Sequence, residues 1–599
     1  MSELVSASGP LSKERRSGTA GILIVALVLA TLLAIKWLWI RTNVFDAMST
    51  DDVMRLVEVR DLINGQGWFD LWQYRLDPPG VLMHWSRIID LPLAVSIVSL
   101  KPLIGMHDAE SVTLFLWPLL LLAGAIALAV AIARQMSNGS VISQISAAVL
   151  AILAVPALVH FRPGAIDHHN AQIDLLLALI LFTLQIDRSA IKAALAGLMA
   201  ALSLAIGVET LPIITAISIT VVGLFIWRGA AVGRQVAAFA IALAASSLAL
   251  ALALLPLPGL ASPVCDALGG PLLLLTIGGG VGLTLMVGID RYRSTLRLRL
   301  ITATGSAIAL TGAFAWLFSG CLTSPYAQLD PLVVSLWLDK VQETVSLAAM
   351  LRIGPEEALG FYGFPLIALG VAVTALIRSN PSDRFRWVVG IAALVVSFAI
   401  SVWEMRGAAE AAMVAAPIFA AGAAIAWPSL AVGRNLVLLA FAVSPATLAA
   451  MGPPMEPLIR LIFEPQEMHV VPEASRCHGM SDVASLKELP KGRVMAPIDL
   501  GPAILAETNH EVFAAPYHRN NDGNLALLRL MLARPSLAHQ MLSDRHVDYV
   551  VVCQTDPNRS IMERAPDGLE ATLVRGETPE FLERIDAPAG NIVTWRLRK

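Results

Sequence analysis

Two polar segments of this 599-residue chain contain the side chains whose types and spacing suit metal binding and catalysis. One segment contains Asp51-Asp52, and the other contains Asp167-His168-His169. Hard divalent cations prefer carboxylate oxygens, and imidazole suits Mn²⁺ better than Mg²⁺. We therefore predict a divalent metal, Mg²⁺ or Mn²⁺, with four ligands: Asp51, Asp167, His168 and His169. We also predict that Asp51, or Asp52 beside it, is a catalytic carboxylate, since carboxylates can orient and deprotonate reacting groups.

A purely structural interpretation of both segments stays open. Acidic residues such as Asp51 and Asp52 commonly cap the start of a helix. That interpretation fits the run from Asp167 to Asn170 less well, because four consecutive polar side chains beside hydrocarbon are costly without a role.

The composition of the chain indicates what must position these residues. Hydrophobic residues make up 56% and charged residues 15%, against roughly 25% charged in a soluble domain. The mean hydropathy is +0.68. So few charges cannot cover the surface of one soluble globule, and a net charge of −3 provides no basic surface for nucleic acid. The chain is therefore a polytopic membrane protein.

We predict about thirteen spans from the apolar runs. They lie at about 18–40, 111–133, 140–160, 171–187, 190–207, 210–227, 235–256, 271–289, 299–319, 361–377, 387–402, 408–426 and 435–452. The short segments that alternate onto one side are rich in Arg and Lys, which the positive-inside rule places in the cytoplasm. This topology puts the N-terminus inside and the C-terminus outside, in the periplasm of a bacterial inner membrane.

The predicted domains follow from these spans. They are a cytoplasmic tail at 1–18, a transmembrane domain at 19–452 with outer loops 41–110 and 320–360, and a periplasmic domain at 453–599. The last region has ordinary charge and short apolar runs at 492–497, 512–515 and 547–553, separated by helical patterns. Such alternation indicates a small α/β domain.

All four cysteines fall on the predicted outer side. An oxidising compartment permits the pairs Cys265–Cys321 and Cys477–Cys553, and free buried cysteines are an equal alternative.

Two further polar sites lie at predicted outer span ends. Arg406 contradicts the positive-inside bias and needs a partner, which is either a lipid phosphate or an acid of this chain, Glu404 or Glu410. Glu209 reaches the same rim and is a site candidate or an interfacial cap.

These features resemble the catalytic subunit of oligosaccharyltransferase, a GT-C glycosyltransferase with thirteen spans and a soluble C-terminal domain. In bacterial members a catalytic Asp precedes a Glu and an Arg-Asp, and Asp51, Glu58 and Arg60-Asp61 stand at that spacing. The run from Arg162 to His169 resembles the second motif of archaeal members, with one residue fewer between Arg and Gly. The resemblance implies that Glu343 is the loop glutamate, and that Arg406 and Arg162 face the donor phosphate.

One departure from this family concerns the acceptor. The family reads its peptide acceptor with Trp-Trp-Asp-Tyr-Gly, and the nearest stretch here is Pro497-Ile498-Asp499-Leu500-Gly501. Without those aromatic residues, glycosylation of peptide sequons is not expected.

The sequence therefore predicts an inverting membrane glycosyltransferase. It would move a sugar from a polyprenyl-phosphate or diphosphate carrier to a glycan or lipid acceptor at the periplasmic face. Two alternatives remain: a transporter or flippase of a lipid-linked glycan, and a polysaccharide polymerase or ligase. The flippase alternative does not explain a folded outer domain.

Overall fold

The computed structural model describes Thr31, Ile35, Tyr326 and Cys477 together with residues 43–323, 328–432, 434–459, 479–585 and 591–598. The predicted cytoplasmic tail and, apart from Thr31 and Ile35, the predicted first span lie outside these residues.

A helix lies in each of the other twelve predicted spans. In chain order, with the helices of the first loop included, these elements are α1 (Thr50–Ile63), β1 (Trp72–Gln73), β2 (Val81–Leu82), α2 (Arg87–Ile104), α3 (Met106–Met136), α4 (Val141–Ile152), α5 (Val155–Leu158), α6 (His169–Thr183), α7 (Ala190–Ile206), α8 (Leu211–Arg228), α9 (Gly233–Leu254), α10 (Gly270–Tyr292) and α11 (Leu296–Leu317). After them come α12 (Pro331–Leu336), α13 (Leu347–Ile353), α14 (Pro355–Arg378), α15 (Arg384–Trp403), α16 (Ala408–Ala426), α17 (Asn435–Val443) and α18 (Pro445–Ile459).

The described residues do not confirm the predicted count of thirteen spans. By length and composition, the described residues contain seven helices that can cross a membrane, or nine if each of two bent pairs is one span. The bent pairs break by 57° after α4 and by 52° after α17. Helices α6 and α7 are shorter than the ~20 residues that a span needs. The 44-residue stretch of α8 and α9 is counted once among the seven, although it consists of two helices joined by a short 3₁₀ turn in which Gly229 has φ +56°.

Small residues allow the helices to pack closely. A Cβ at Gly197 of α7 would lie 2.4 Å from the carbonyl oxygen of Phe239, so only glycine permits this approach of α7 to α9. The most apolar stretch of the α16 span is 94% buried, and it is rich in alanine. Such packing is typical of membrane helices, where small residues bring backbones together.

The first outer loop is folded rather than extended. It contains α1, the β1–β2 hairpin and α2, and α3 begins at Met106, five residues before the predicted start of the span at 111. The second outer loop contains α12 and α13, and α14 begins at Pro355 rather than at 361.

The C-terminal region is an α/β domain, as predicted. Its elements are β3 (Arg493–Met495), α19 (Gly501–Glu507), β4 (Glu511–Val512), α20 (Asn521–Leu532), α21 (Pro535–Asp544), β5 (Tyr549–Cys553), α22 (Arg559–Arg564), α23 (Leu569–Val574), β6 (Leu582–Ile585) and β7 (Ile592–Leu597). The sheet has the order β4-β3-β5-β7-β6, parallel across β4, β3 and β5 and antiparallel at β7 and β6. The sequence analysis located β3, β4 and β5 but not β6 or β7.

The two outer loops are packed against this domain. Leu76 forms a bridge with Val512 at the edge of the sheet, so the hairpin loop extends β4. Val333 and Leu336 of α12 are buried in the core of the domain. A second hydrophobic cluster joins α1 and α2 to α19 and β5. The chemistry-bearing segments therefore lie where the spans, the outer loops and the C-terminal domain meet.

Candidate active site

The first polar segment forms the start of α1, with Ser49 as N-cap. The Asp52 N–H donates to Ser49 Oγ (3.2 Å), and the Ser49 N–H donates to Asp52 Oδ2 (2.9 Å). The other oxygen, Asp52 Oδ1, accepts the backbone N–H groups of Ile166 (2.8 Å) and Asp167 (2.9 Å). Asp52 therefore joins the two polar segments. Asp51 is partly exposed, and within the described residues its carboxylate makes no hydrogen bond.

The second polar segment makes a tight turn before α6. Gly164 has φ +92°, and a Cβ there would lie 2.9 Å from the Val44 carbonyl oxygen, so the turn requires glycine. Asn170 fixes the turn, because its Nδ2 donates to the carbonyl oxygens of His160 and Ala165, each at 3.0 Å. The turn places the three residues before Asn170 at the start of α6.

Asp167, His168 and His169 form one cluster. His168 Nδ1 lies 2.7 Å from Asp167 Oδ1, and His169 Nε2 lies 3.5 Å from Asp167 Oδ2. One potential ligand atom from each of the three lies within 4.8 Å of the other two. Glu209, between α7 and α8, approaches His168 Nε2 at 3.3 Å and accepts a hydrogen bond from Gln172 (3.0 Å). Three of the four predicted metal ligands can therefore meet one ion.

The charges of this cluster stabilise one another. Burial alone would raise the pKa of Asp167, but His168, His169 and Arg55 hold it well below its ordinary value. Burial alone would lower the pKa of His168, but Asp167 and Glu209 raise it to about 10. His168 is therefore an imidazolium between two carboxylates, and a metal ion would compete with its proton.

Asp51 belongs to the same electrostatic environment. Burial raises the pKa of Asp51 well above its ordinary value, and the charges of Asp167, Glu343 and Asp52 raise it further. The charge of Glu343, which is exposed in the second outer loop, therefore acts on Asp51, and the role of Glu343 stays a prediction. Asp51 is not a member of the three-residue cluster, so its role as a fourth ligand stays a prediction.

A network of buried, hydrogen-bonded side chains contacts the cluster through Asp167. Arg55 donates from Nη1 to Asp90 Oδ1 (3.0 Å) and from Nη2 to Asp167 Oδ1 (3.2 Å). Its guanidinium lies 4.6 Å above the Trp85 ring. Arg87 donates to the second oxygen of Asp90 (3.0 Å). The sequence analysis gave these residues no role, although Arg55 lies one helical turn after Asp51 and therefore on the same face.

Two other predicted site residues occupy α1 further along. Glu58 lies 4.0 Å from Arg55, its carboxylate oxygens have no hydrogen-bond partner within the described chain, and burial raises its pKa to about 8. Arg60 forms a bidentate pair with Glu110 (2.7 and 2.8 Å) and donates to the carbonyl oxygen of Ala506 (2.7 Å). Arg60 thereby links α1 to the spans and to α19.

The two arginines that are predicted to bind phosphate, Arg406 and Arg162, differ in their contacts. Arg406 Nε lies 2.7 Å from Glu404 Oε2, and its Nη2 donates to the Tyr326 hydroxyl (3.2 Å). Glu404 is thus the same-chain partner that the sequence left open. Arg162 is half-buried, and its Nε has no hydrogen-bond partner within the described residues. Its positive charge opposes the burial that raises the pKa of Asp52.

The C-terminal domain reaches the site through residues that sequence analysis missed. The Tyr517 hydroxyl donates to the carbonyl oxygen of Thr50 (3.3 Å), at the start of α1. Next to it, His518 lies 2.7 Å from Asp266, and Arg519 makes a bidentate pair with the same carboxylate (2.9 and 2.7 Å). The signal was their position after strand β4, where loops of α/β domains commonly carry functional side chains.

Both permitted cysteine pairs are disulfides. Cys265 and Cys321 have a Cα–Cα distance of 5.4 Å, and Cys477 and Cys553 one of 5.9 Å. The first disulfide fixes the segment that carries Asp266, and the second closes a loop of the C-terminal domain.

Comparison with known proteins supports a fold but no sequence family. No protein-family model and no curated protein sequence matches the chain. The structure of the archaeal oligosaccharyltransferase from Archaeoglobus fulgidus with an inhibitory peptide and a dolichol-phosphate matches with a TM-score of 0.64 and 15% identity. The match covers 90% of this chain and 70% of that one. The same enzyme with Zn and sulfate matches with a TM-score of 0.61 and 14% identity, over 96% of this chain and 73% of that one.

Over most of the chain, the fold is that of this archaeal oligosaccharyltransferase. The resemblance stated from the sequence is therefore confirmed at the level of the fold, including the C-terminal domain. A third solved structure, ArnT from Cupriavidus metallidurans bound to undecaprenyl phosphate, matches with a TM-score of 0.34 and 11% identity, over 97% of this chain and 98% of that one. That similarity is too weak to support a conclusion about this chain.

Proposed function

We propose that this GT-C protein transfers a sugar from a polyprenyl-phosphate or diphosphate carrier to a non-peptide acceptor, with inversion at the anomeric carbon. The observation that carries the proposal is the convergence of Asp167, His168 and His169 beside Asp51, within a fold shared with an oligosaccharyltransferase. That fold was solved with a dolichol-phosphate, which is a lipid phosphate of the proposed kind.

The residues of the site divide the chemistry between them. Asp51, a carboxylate without a hydrogen-bond partner in the described residues, is positioned to orient or deprotonate the acceptor hydroxyl. Asp52 and Arg55 hold the Asp167 segment against α1 through direct hydrogen bonds. Glu209 orients the His168 ring, as the carboxylate partners of ligating histidines commonly do.

The donor atoms of the cluster fit a divalent metal. One carboxylate and two imidazoles within 4.8 Å suit Mn²⁺ or Zn²⁺ better than Mg²⁺, which prefers oxygen ligands throughout. A related structure contains Zn. When bound, such an ion would offset the negative charge that develops on the departing phosphate. Arg406 and Arg162 are the proposed fixed cations for the same phosphate.

A non-peptide acceptor is proposed from the C-terminal domain. At the stretch nearest to the peptide-reading motif, Ile498 and Leu500 are buried in the domain. A Cβ at Gly501 would lie 2.1 Å from the Ala514 carbonyl oxygen, so this stretch is packed into the domain. The domain reaches the site with Tyr517 instead.

A flippase is the alternative from another class, and the structure gives less support to it. A transporter needs a site that is accessible alternately from both sides, between two mobile halves. Here the C-terminal domain is fixed to α1 by Arg60 and Tyr517 and to the span connections by Asp266. A folded domain held at three points suits a fixed catalytic site.

The proposed location is a bacterial inner membrane with the C-terminal domain in the periplasm. A cysteine introduced at the exposed Glu580 tests it. A membrane-impermeant maleimide added to spheroplasts should label this position, while the four native cysteines are protected as disulfides. Labelling only after membrane rupture would reverse the topology.

The experiment that tests the activity uses the full chain in lipid nanodiscs with polyprenyl-linked sugars extracted from its source membrane. We expect release of free polyprenyl phosphate or diphosphate that is stimulated by Mn²⁺. Asp167→Asn should abolish release, because it removes a metal ligand and the partner of Arg55. Asp108→Asn is the matched control, since Asp108 is exposed in the first turn of α3. Release unaffected by Asp167→Asn would refute the proposal.

A further inference from the structure

A cavity of about 260 Å³ lies beside the candidate site and is used by none of the roles above. Its walls come from the β1–β2 hairpin region, from the ends of α7 and α9 that face the C-terminal domain, and from Arg519. Ligand sites are typically apolar cavities with a few convergent polar groups. This cavity has that character, because aliphatic and aromatic side chains form most of its wall.

The rim of the cavity is apolar as well. Phe69, Trp72 and Leu82 line the cavity and are 49%, 43% and 39% exposed. On the opposite wall, Leu254 and Leu255 end the apolar helix α9, which is part of a candidate span. An entrance built this way, continuous with a membrane helix, favours an occupant that arrives from the lipid phase rather than from water.

The polar end of the cavity has no unpaired positive charge among the described residues. Arg519 is paired with Asp266 in a bidentate contact, and Arg87 is paired with Asp90. Burial lowers the pKa of His84 to about 3, so its ring is neutral. A phosphate would therefore meet no free cation in this part of the described chain, which argues against the head of a polyprenyl-phosphate donor. His84 Nδ1 is buried without a hydrogen-bond partner among the described residues, so this end of the cavity is polar without being charged.

The polar end also adjoins the catalytic residues. Trp85, which lines the cavity, packs against Arg55 (4.6 Å) and edge-on against Tyr517 (5.4 Å between ring centroids). Arg55 in turn donates to Asp167. The wall of the cavity is therefore connected to the metal cluster through two buried side chains, Trp85 and Arg55.

We propose that this cavity binds an aliphatic chain of the acceptor, and that the acceptor is a membrane lipid with a hydroxylated head group. This inference rests on the proposed glycosyltransferase function and narrows its acceptor from glycan or lipid to lipid. The apolar rim, the neutral polar end and the contact with Arg55 through Trp85 all support this assignment. A polyprenyl chain of the donor is the competing occupant.

The test uses the full chain in nanodiscs with a phospholipid that carries a photoreactive diazirine in one acyl chain. After irradiation, we expect cross-links in peptides covering 69–87 and 254–268. Leu255→Trp should fill the cavity and reduce these cross-links at least five-fold. Leu257→Trp is the matched control, because Leu257 is two residues away, is 75% exposed and does not line the cavity. Leu255→Asn, which keeps the branched shape but makes the wall polar, should also weaken labelling if the tryptophan variant misfolds.

A second arm identifies the source of the chain. A diazirine-labelled polyprenyl phosphate should not cross-link to these peptides, and labelling by it that Leu255→Trp removes would overturn the inference in favour of the donor. Equal phospholipid labelling in the Leu255→Trp and Leu257→Trp variants would also overturn it. Donor cleavage by water is measured on the unaltered protein in the same nanodiscs. Its absence in the unaltered protein would refute the proposed function itself, independently of the labelling.

Discussion

Replacing Asp51 or Asp52 by Asn separates a catalytic carboxylate from a structural one at adjacent positions. Asp52 accepts four hydrogen bonds: two on Oδ2 from Ser49 and two on Oδ1 from the N–H groups of Ile166 and Asp167. The Asp51 carboxylate accepts none from the described residues. The two Asp→Asn changes are chemically identical, so differences between them report on these contacts.

The cost of Asp52→Asn follows from its four contacts. An amide nitrogen cannot accept a hydrogen bond, so whichever way the new side-chain amide is oriented, two of the four contacts are lost. Hydrogen bonds to charged groups contribute about 1.5–3 kcal/mol each. We therefore expect a destabilisation of about 3 kcal/mol or more, seen as a lower melting temperature and faster proteolysis around residues 162–169.

Asp51→Asn should have the opposite profile. The protein should keep its melting temperature, because no internal hydrogen bond of the described residues is broken, while turnover falls by about 10²–10⁴-fold, as is typical when a general base is lost. At 1.36 kcal/mol per tenfold change, this corresponds to about 3–5 kcal/mol of transition-state stabilisation. The assay is sugar release in nanodiscs, with thermal unfolding measured on the same samples. Turnover within ten-fold of the unaltered protein, or a melting temperature that falls as far as in Asp52→Asn, would refute the assignment.

Three further outcomes are expected. Chelation of divalent metal should abolish turnover, and metal-independent turnover would contradict the metal site. His169→Ala should raise the Mn²⁺ concentration needed for half-maximal activity by at least ten-fold. Burial raises the pKa of Glu570 to about 7. Its contribution to stability is therefore greatest below its unfolded pKa of ~4.5 and is lost as the pH rises to 7. Glu570→Gln should stabilise the protein by about 1–3 kcal/mol at pH 8 and remove this part of the pH dependence of thermal unfolding. Replacing both Cys477 and Cys553 by Ser should cost about 4 kcal/mol from the chain entropy of a loop with a sequence separation of 76, and an unchanged melting temperature would argue against this disulfide as a stabilising link.

Local patterns in the sequence were sufficient for several parts of the structure. Apolar runs marked twelve helices in the described chain, because a run of that length is helical whether or not it crosses a membrane. The change of composition after 453 marked the α/β domain, and its three buried strands were located because their apolar runs are short and separated by helical patterns. Strand β7 was missed, although its alternation from Ile592 to Leu597 is a strand signal.

The span count could not be read from hydropathy alone. Helices α6 and α7 have 15 and 17 residues and are partly buried, and hydropathy does not distinguish apolar residues that pack against protein from apolar residues that face lipid. Helices α8 and α9 are separated only by the short 3₁₀ turn at Gly229–Val232, so a test of length and composition counts their two predicted spans as one.

At the site, the sequence by itself determined the residue types and the local geometry: Asp167, His168 and His169 are neighbours along the chain, and the capping pair Ser49 and Asp52 lies three positions apart. Only the tertiary structure decided which of the two adjacent carboxylates, Asp51 or Asp52, accepts hydrogen bonds from the second polar segment. The N–H groups that donate to Asp52 Oδ1 belong to residues more than 110 positions away. Three other parts of the chain contribute Glu209, Glu343 and Tyr517 to the surroundings of the site. Local spacing fixes contacts within a turn or a helix, whereas contacts between distant segments depend on how helices and domains pack. No pattern within one segment encodes that packing.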